Sequence, residues 1–256
     1  MLAPGTVFAE SIRLLLPADA PASPDNTALT AALSRVANQS VEIVTSSNEL
    51  NYLHAIDETR FDLLLAQPHI AGSLIQARKA RLLALRNVNE GYLVAVRRRD
   101  ESIFQVVDLS GRRLCIEKPG LFPMVHLTGL IDNITREPVM IKEPDYRRRV
   151  RQLLSDHCHA IMLSVTEFKS LTKREGSDRL RVIYQSNALP GDAILINARL
   201  PRTLSKPLHL WLLGPEAHNL TGQLGTRGQS DVPWIGTGVN TLKSLSYLAN
   251  DLLLLD

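Results

Sequence analysis

The chain lacks most features that would tie it to a particular chemistry. Among 256 residues there are only two cysteines, Cys115 and Cys158. That is too few for a disulfide framework, and they lack metal-ligand spacing. A single bridge and two free thiols both remain open. Aromatic residues are 5% of the chain, and no aromatic stripe accompanies the basic runs, which argues against a nucleic-acid partner. No apolar run approaches the roughly 18 residues that span a bilayer. The net charge is +3, a small basic excess rather than a nucleic-acid-binding composition. There is no G-x-S-x-G, no P-loop, no H-E-x-x-H and no cysteine beside a convincing base. Repeats and low-complexity tracts are also missing, so neither a solenoid nor a disordered tail is expected. Nothing in the residues calls for a cofactor or a metal.

What is present fits an ordinary globular protein, with 45% hydrophobic and 21% charged residues. The length allows one large domain or two small ones. The first ten residues, MLAPGTVFAE, end like a signal peptide but lack a basic start and a full apolar stretch. Two readings follow: a clipped or misassigned start, or a frayed cytosolic one.

Apolar runs and turn signals alternate along the chain. Ser11–Pro17, Val41–Thr45, Phe61–Ala66, Leu82–Val88 and Tyr92–Val96 read as strands. Between them lie helical patterns: one capped by Asn26 or Thr27, one opened by a Ser46/Glu49 capping box, one after Gln67-Pro68-His69. The pattern repeats with strands at Arg112–Glu117, Pro138–Ile141, Cys158–Leu163, Leu180–Gln185 and Ala193–Asn197. Helices are expected around Met124, Val150, Thr166–Leu171, Leu208–Leu213 and Val239–Leu254. Strands alternating with short helices mean an α/β fold with mostly parallel sheets. Ligands then sit beyond the carboxyl ends of the strands, here Pro17-Ala18-Asp19, Thr45-Ser46-Ser47 and Gln67-Pro68-His69.

Two clusters invite chemistry and have plainer explanations. His157 and His159 fall on one side of a strand but have no third metal ligand nearby. Arg147-Arg148-Arg149 with Arg151 lies in a stretch, Val94 to Arg151, with twelve basic against eight acidic residues. A solvated helix face accounts for it, with a protein partner as the lesser alternative.

The order around Gly91–Gly120 is more specific: a strand opened by Tyr92, a charged break, Asp108-Leu109-Ser110-Gly111-Arg112, a second strand, then Pro119-Gly120. Tyr52, Phe61-Asp62-Leu63 with Gln67-Pro68, Thr166-Glu167, and Ser186 to Asp192 follow in matching order. Together these residues resemble type 2 periplasmic binding proteins, and within them the phosphonate/phosphate-type substrate-binding subunits of ABC transporters. The resemblance runs from about Ser11 to the C-terminus.

The resemblance implies two lobes with a ligand cleft between them. Residues 10–94 would form the first part of lobe one, 95–191 lobe two, and 192–256 the return to lobe one with the closing helices. Hinges would lie near Val94–Arg97 and Leu189–Ala193. The cleft would be lined by Tyr52, Gln67, Tyr92, Phe122, Tyr146, Glu167 and Asp192. Each also has a plain structural reading: Tyr52 and Tyr92 as core aromatics, Glu167 as a first-turn carboxylate, Asp192 as a turn former. The implied role is capture of a small polar ligand without chemistry, and its delivery to an ABC permease or a membrane sensor. A monomer in the periplasm, reaching the membrane only through its partner, is the matching expectation. An enzyme with Glu167 or Asp192 as acid/base and a cytosolic ligand sensor are the alternatives on the same fold.

One departure stands out. Phosphonate-binding members carry a Ser-Thr-Ser run at a helix start, where hydroxyls and backbone N–H groups hold the anion. Here the run is Leu121-Phe122-Pro123. The hydroxyls are gone, and Pro123 removes a backbone donor. Lys118, just upstream, restores charge without directed donors. Tyr146 stands nearest to the family's pocket histidine.

Overall fold

The computed structural model describes residues 11–18, 20, 26–88, 90–117, 122–131, 137–222, 224 and 232–249. Residues 1–10, Asp19, Lys118, Pro119, Gly120 and Leu121 lie outside the described residues, as do the last leucines of the expected closing helix. Along the chain run β1 (Ile12–Leu16), α1 (Asn26–Ala37), β2 (Val41–Thr45), α2 (Glu49–Asp57), β3 (Leu63–Ala66), α3 (Pro68–Gln76) and β4 (Ala80–Arg86). Next come β5 (Tyr92–Arg97), β6 (Arg113–Ile116), α4 (Phe122–Thr128), β7 (Val139–Lys142), α5 (Tyr146–Leu154), β8 (Ala160–Ser164), α6 (Val165–Ser170) and β9 (Leu180–Gln185). The chain then continues through β10 (Ala193–Asn197), α7 (Arg202–Leu212), α8 (Pro215–Thr221), β11 (Trp234–Ile235) and α9 (Val239–Lys243).

The described residues of Met1–Asn87 and Pro190–Asp256 form one unit, and those of Val88–Leu189 a second. The first unit's sheet has the order β11-β4-β10-β3-β1-β2, and the second's β7-β6-β8-β5-β9. In the first sheet β1 pairs in parallel with both β2 and β3, while β10 runs antiparallel between β3 and β4. In the second, β6 pairs in parallel with β7 and β8, and β5 runs antiparallel between β8 and β9. Each sheet is therefore mixed, with returning strands set among strands of one direction. Both contain the same switch point: the chain leaves a central strand (β1 or β6) first to one side and then to the other. Such a point opens a crevice at the carboxyl ends of the strands.

Period-two alternation sends successive side chains of each strand to opposite faces, so each sheet builds two apolar layers. In the first unit Leu14, Leu63 and Leu65 pack with Leu29 and Leu33 of α1 and Leu208 and Leu212 of α7. Their neighbours Leu15 and Leu64 face the other way, onto Ile56, Ile70 and Leu74. In the second unit Val94, Val96 and Leu114 pack with Met124 and Leu127, while Leu93, Ala95 and Cys115 meet Val150 and Leu153. Gly72 of α3 is a close-approach position, since a Cβ there would lie 1.9 Å from the Leu242 carbonyl oxygen.

Three sequence expectations shift. The capping box at Ser46 does not form; Asn48 caps α2 instead, its Oδ1 accepting from Asn51 N at 2.8 Å. The strand from Tyr92, expected to belong partly to lobe one, lies wholly in the second sheet because both its edges are paired there. The closing helix is broken: α9 stops at Lys243 and a separate 3₁₀ turn covers Ser246–Ala249.

Cys115 of β6 and Cys158, just before β8, are joined in a disulfide with Cα atoms 5.9 Å apart. The bridge adds a covalent tie between two strands that are already neighbours.

Candidate functional site

In the first unit the candidate residues gather at the carboxyl end of β3. Tyr52 projects from α2 and donates its hydroxyl to the Leu65 carbonyl at 2.5 Å, one residue before the strand ends. Gln67 follows the strand and opens α3 without a capping bond from its side chain. Its Oε1 is buried and has no hydrogen-bond partner among the described residues. The antiparallel register sets Ala193 opposite Ala66, which brings Asp192 across from Gln67. Asp192 is itself buried, and its carbonyl accepts from Arg86 N at 2.9 Å.

Arg86 stiffens the ground behind this group. Its buried guanidinium donates to the carbonyls of Val232, Thr221 and Leu224 and lies 4.3 Å over the Trp234 ring. His69, two residues past Gln67, is buried, and loss of solvation lowers its pKa from 6.5 to about 4. It is therefore a neutral imidazole at neutral pH.

In the second unit the corresponding end of the sheet carries Tyr92, Phe122 and Glu167. Tyr92 opens β5 opposite Ser164 of β8, and Ser186 Oγ accepts from its backbone N–H at 3.0 Å. Its hydroxyl is 2.9 Å from Nδ1 of His126 in α4, and its ring is 5.7 Å from that of Tyr184. Phe122 begins α4 with its ring 6.2 Å from His126, so the replaced hydroxyl run contributes an aromatic wall. Burial lowers the pKa of His126, which keeps this wall uncharged at neutral pH.

Ser164 and Glu167 make a reciprocal capping box at the start of α6: Ser164 N donates to Glu167 Oε2 at 2.9 Å, and Glu167 N to Ser164 Oγ at 3.0 Å. Both Glu167 oxygens also accept from Arg149 Nη2 at 2.7 Å. Thr166 donates its hydroxyl to Glu90 at 2.6 Å and its N–H to the same carboxylate at 3.1 Å. Tyr146 lies farther along, at the start of α5, where its hydroxyl accepts from Ser170 Oγ at 3.2 Å and Arg147 stacks on its ring.

The seven candidates thus form two groups: Tyr52, Gln67 and Asp192 in one unit, Tyr92, Phe122 and Glu167 with the more distant Tyr146 in the other. Three neighbours were not visible in sequence. His126 joins the second group only through the fold, and Glu90 sits in a segment with no pattern of its own. The basic run around Arg149 points to a solvated face, but the Arg149 side chain is 1% exposed. The helical period supplies the missing signal, since Arg149 falls on the same inward stripe as Val150 and Leu153. Its neighbours Arg147, Arg148 and Arg151 are exposed as expected.

His159 Nδ1 accepts from Arg113 N at 3.0 Å. Among the described residues no group of three or more His, Cys, Asp or Glu could hold a metal ion. No helix among them is long and apolar enough to cross a membrane.

No curated protein matches this chain in sequence. Solved structures share its fold. A Xanthomonas citri protein bound to chloride ion superposes with a TM-score of 0.65 at 14% identity, covering 95% of this chain and 99% of its own. PhnD1 from Prochlorococcus marinus, solved with methylphosphonate, gives 0.59 at 11% identity, covering 94% and 98%. A binding-protein component of an ABC phosphonate transporter from Pseudomonas aeruginosa gives 0.51 at 10%, covering 94% and 87%. The model of the family described as "ABC transporter, phosphonate, periplasmic substrate-binding protein" matches residues 22–228. By that match, over most of its length, the chain belongs to the periplasmic substrate-binding proteins of ABC phosphonate transporters, a family that binds solutes for transport rather than transforming them.

Proposed function

We propose that the chain captures a small polar solute and releases it to an ABC permease outside the cytoplasm. The proposed ligand contacts are Tyr52, Gln67 and Asp192 in the first unit and Tyr92, Phe122, Tyr146 and Glu167 in the second. The observation that carries this reading is the gathering of most of these residues at the carboxyl end of each sheet, beside its switch point. Gln67 Oε1, buried without a hydrogen-bond partner among the described residues, adds weight, because leaving such an acceptor unsatisfied costs free energy. The Cys115–Cys158 bridge favours an oxidising compartment, in keeping with a periplasmic location. The protein acts as a monomer in this reading.

The second unit also argues for a ligand of low charge. Glu167 already has Arg149 as its counter-ion, Thr166 already has Glu90, and the Tyr92–His126–Phe122 wall is uncharged. Glu167 is therefore not assigned as the partner of an amine on the ligand. Native mass spectrometry of protein purified without denaturation tests the reading. A retained small molecule that is lost in Gln67→Leu and Asp192→Asn is the expected result. Turnover of that molecule on incubation would overturn it.

A further inference from the structure

His126 of α4 gives one ring nitrogen to Tyr92 and keeps the other. The Tyr92 hydroxyl lies 2.9 Å from Nδ1, the two rings meet edge to face with centroids 6.0 Å apart, and the Phe122 ring stands 6.2 Å away. Tyr92 and Phe122 are buried, whereas His126 is half-buried. Its Nε2 makes no hydrogen bond with another described residue. The chemistry of the pair decides which nitrogen carries the proton. A phenol, with a pKa of about 10, is a stronger donor than an imidazole N–H, and a bare imidazole nitrogen is a stronger acceptor than a phenol oxygen. Tyr92 therefore donates its O–H to Nδ1. Burial lowers the pKa of His126, so the ring is neutral at neutral pH and its one proton sits on Nε2.

The place of this donor in the fold gives it a use. Tyr92 pairs with Ser164, the last residue of β8 and the cap of α6, and α4 follows the carboxyl end of β6. His126 thus stands at the end of the second sheet that carries Phe122 and Glu167. Donors are scarce there. The Leu121-Phe122-Pro123 run has no hydroxyls, and Pro123 has no N–H. The Thr166 hydroxyl already serves Glu90, and Arg149 already serves Glu167. Nε2–H of His126 is a directed donor without such a commitment, and its direction is fixed by the bond at Nδ1.

We propose that His126 is a specificity-determining ligand contact of the second unit, its Nε2–H donating to an uncharged acceptor oxygen of the solute such as an amide or ester carbonyl. The Tyr92 hydroxyl is the positioning group that fixes the tautomer and aims the ring. This assignment rests on the solute-binding reading above and narrows it. One neutral donor satisfies a carbonyl, whereas a phosphonate needs several charge-assisted donors to replace its hydration.

Asparagine and glutamine separate the two ring nitrogens. An asparagine amide takes the place of Nδ1 and can serve Tyr92, but it has no group where Nε2 stood. A glutamine amide reaches the place of Nε2 and leaves that of Nδ1 empty. Calorimetry with the solute that co-purifies with the native protein should show His126→Asn weakened about tenfold and His126→Gln within about threefold of native. A purely structural role through Tyr92 demands the opposite order. Thermal melting of each variant confirms that it is folded. Long-range nitrogen–proton NMR of the native protein needs neither variant nor solute, and it should show the His126 proton on Nε2. A proton on Nδ1, or native affinity in folded His126→Asn, would overturn the proposal. Gln67→Leu tells the two failures apart. If it loses affinity while His126→Asn does not, only the assignment of His126 fails; if neither loses affinity, the solute-binding reading of these residues fails with it.

Discussion

Nη2 of Arg149 lies 2.7 Å from both carboxylate oxygens of Glu167, and it ties α5 to the capping box of α6. Arg149 is buried, whereas the Glu167 side chain is 25% exposed. The pair is thus a half-buried ion pair serving the architecture of the second unit, whichever ligand binds nearby. A buried guanidinium is stabilising only while its carboxylate remains.

Removing one partner should therefore cost more than removing both. Glu167→Gln leaves a buried positive charge and should lower stability by about 3 kcal/mol, at the low end for buried pairs because Glu167 is partly solvated. Adding Arg149→Met should recover part of that loss. Urea denaturation of the two single variants and the double variant measures the coupling. Strictly additive losses would show that the pair contributes nothing as a pair.

The disulfide encloses a chain separation of 43 residues, which in the loop-entropy picture corresponds to about 4 kcal/mol. Replacing both Cys115 and Cys158 with alanine should lower the stability of the second unit by about 2–4 kcal/mol. Thiol titration of the unfolded, unreduced protein comes first, since two free thiols would remove the premise. The urea midpoint of the double variant then gives the magnitude.

His69 gives the first unit a pH dependence with a definite sign. Its folded pKa is about 4 against 6.5 when unfolded, so between these values the unfolded chain binds more protons. Stability is complete above about 6.5, falls as pH drops toward about 4, and loses nothing more from this group below that. A shift of this size corresponds to about 3 kcal/mol across the window. Urea midpoints between pH 4 and 7.5 should slope upward in the native protein and less so in His69→Leu. Equal slopes in the two proteins would mean that His69 is not the group responsible.

Gln67 offers a contrast between stability and binding. Its Oε1 is buried without a partner among the described residues, so Gln67→Leu removes a desolvated acceptor and should leave the unliganded protein as stable as before, or slightly more so. If the ligand supplies the missing donor, the same change should weaken binding about tenfold, which is about 1.4 kcal/mol. Calorimetry with the co-purified solute and thermal melting without it give the two numbers. A destabilised variant with unchanged affinity would make Gln67 a structural residue.

The fold was largely legible because it is written in short-range patterns. Leu63–Ala66 is apolar on both faces, Ala193–Asn197 is so up to its last residue, and both sit at the centre of a sheet. Motif order alone makes Tyr52, Tyr92, Glu167 and Asp192 candidates, and the fold assigns Tyr52 and Asp192 to the first unit and Tyr92 and Glu167 to the second. What the sequence hid depends on tertiary contact or on close local competition. Ser46 and Asn48 are both good helix caps, and backbone geometry chose Asn48. Arg149 looked like its exposed neighbours because charge composition masks a single inward position. The Tyr92–His126 bond joins residues 34 apart that only the packing of α4 against β5 brings together.

The last prediction concerns specificity. A phosphonate must exchange a strong hydration shell for protein donors, and each charge-assisted hydrogen bond returns about 1.5–3 kcal/mol. Where phosphonate-binding relatives place Ser-Thr-Ser, this chain has Leu121-Phe122-Pro123, with neither the hydroxyls nor the proline N–H. The Phe122 ring instead faces the uncharged His126, and the nearby donors of Thr166 already serve Glu90. Loss of two or three such bonds corresponds to several powers of ten in affinity at about 1.4 kcal/mol each. Phosphate, phosphite, methylphosphonate and 2-aminoethylphosphonate should therefore bind weakly or not at all. Phe122→Ser alone should restore little, because Pro123 still withholds its backbone donor. Isothermal titration with each anion decides it, and a sub-micromolar dissociation constant for any of them would mean that a different set of donors holds the ligand.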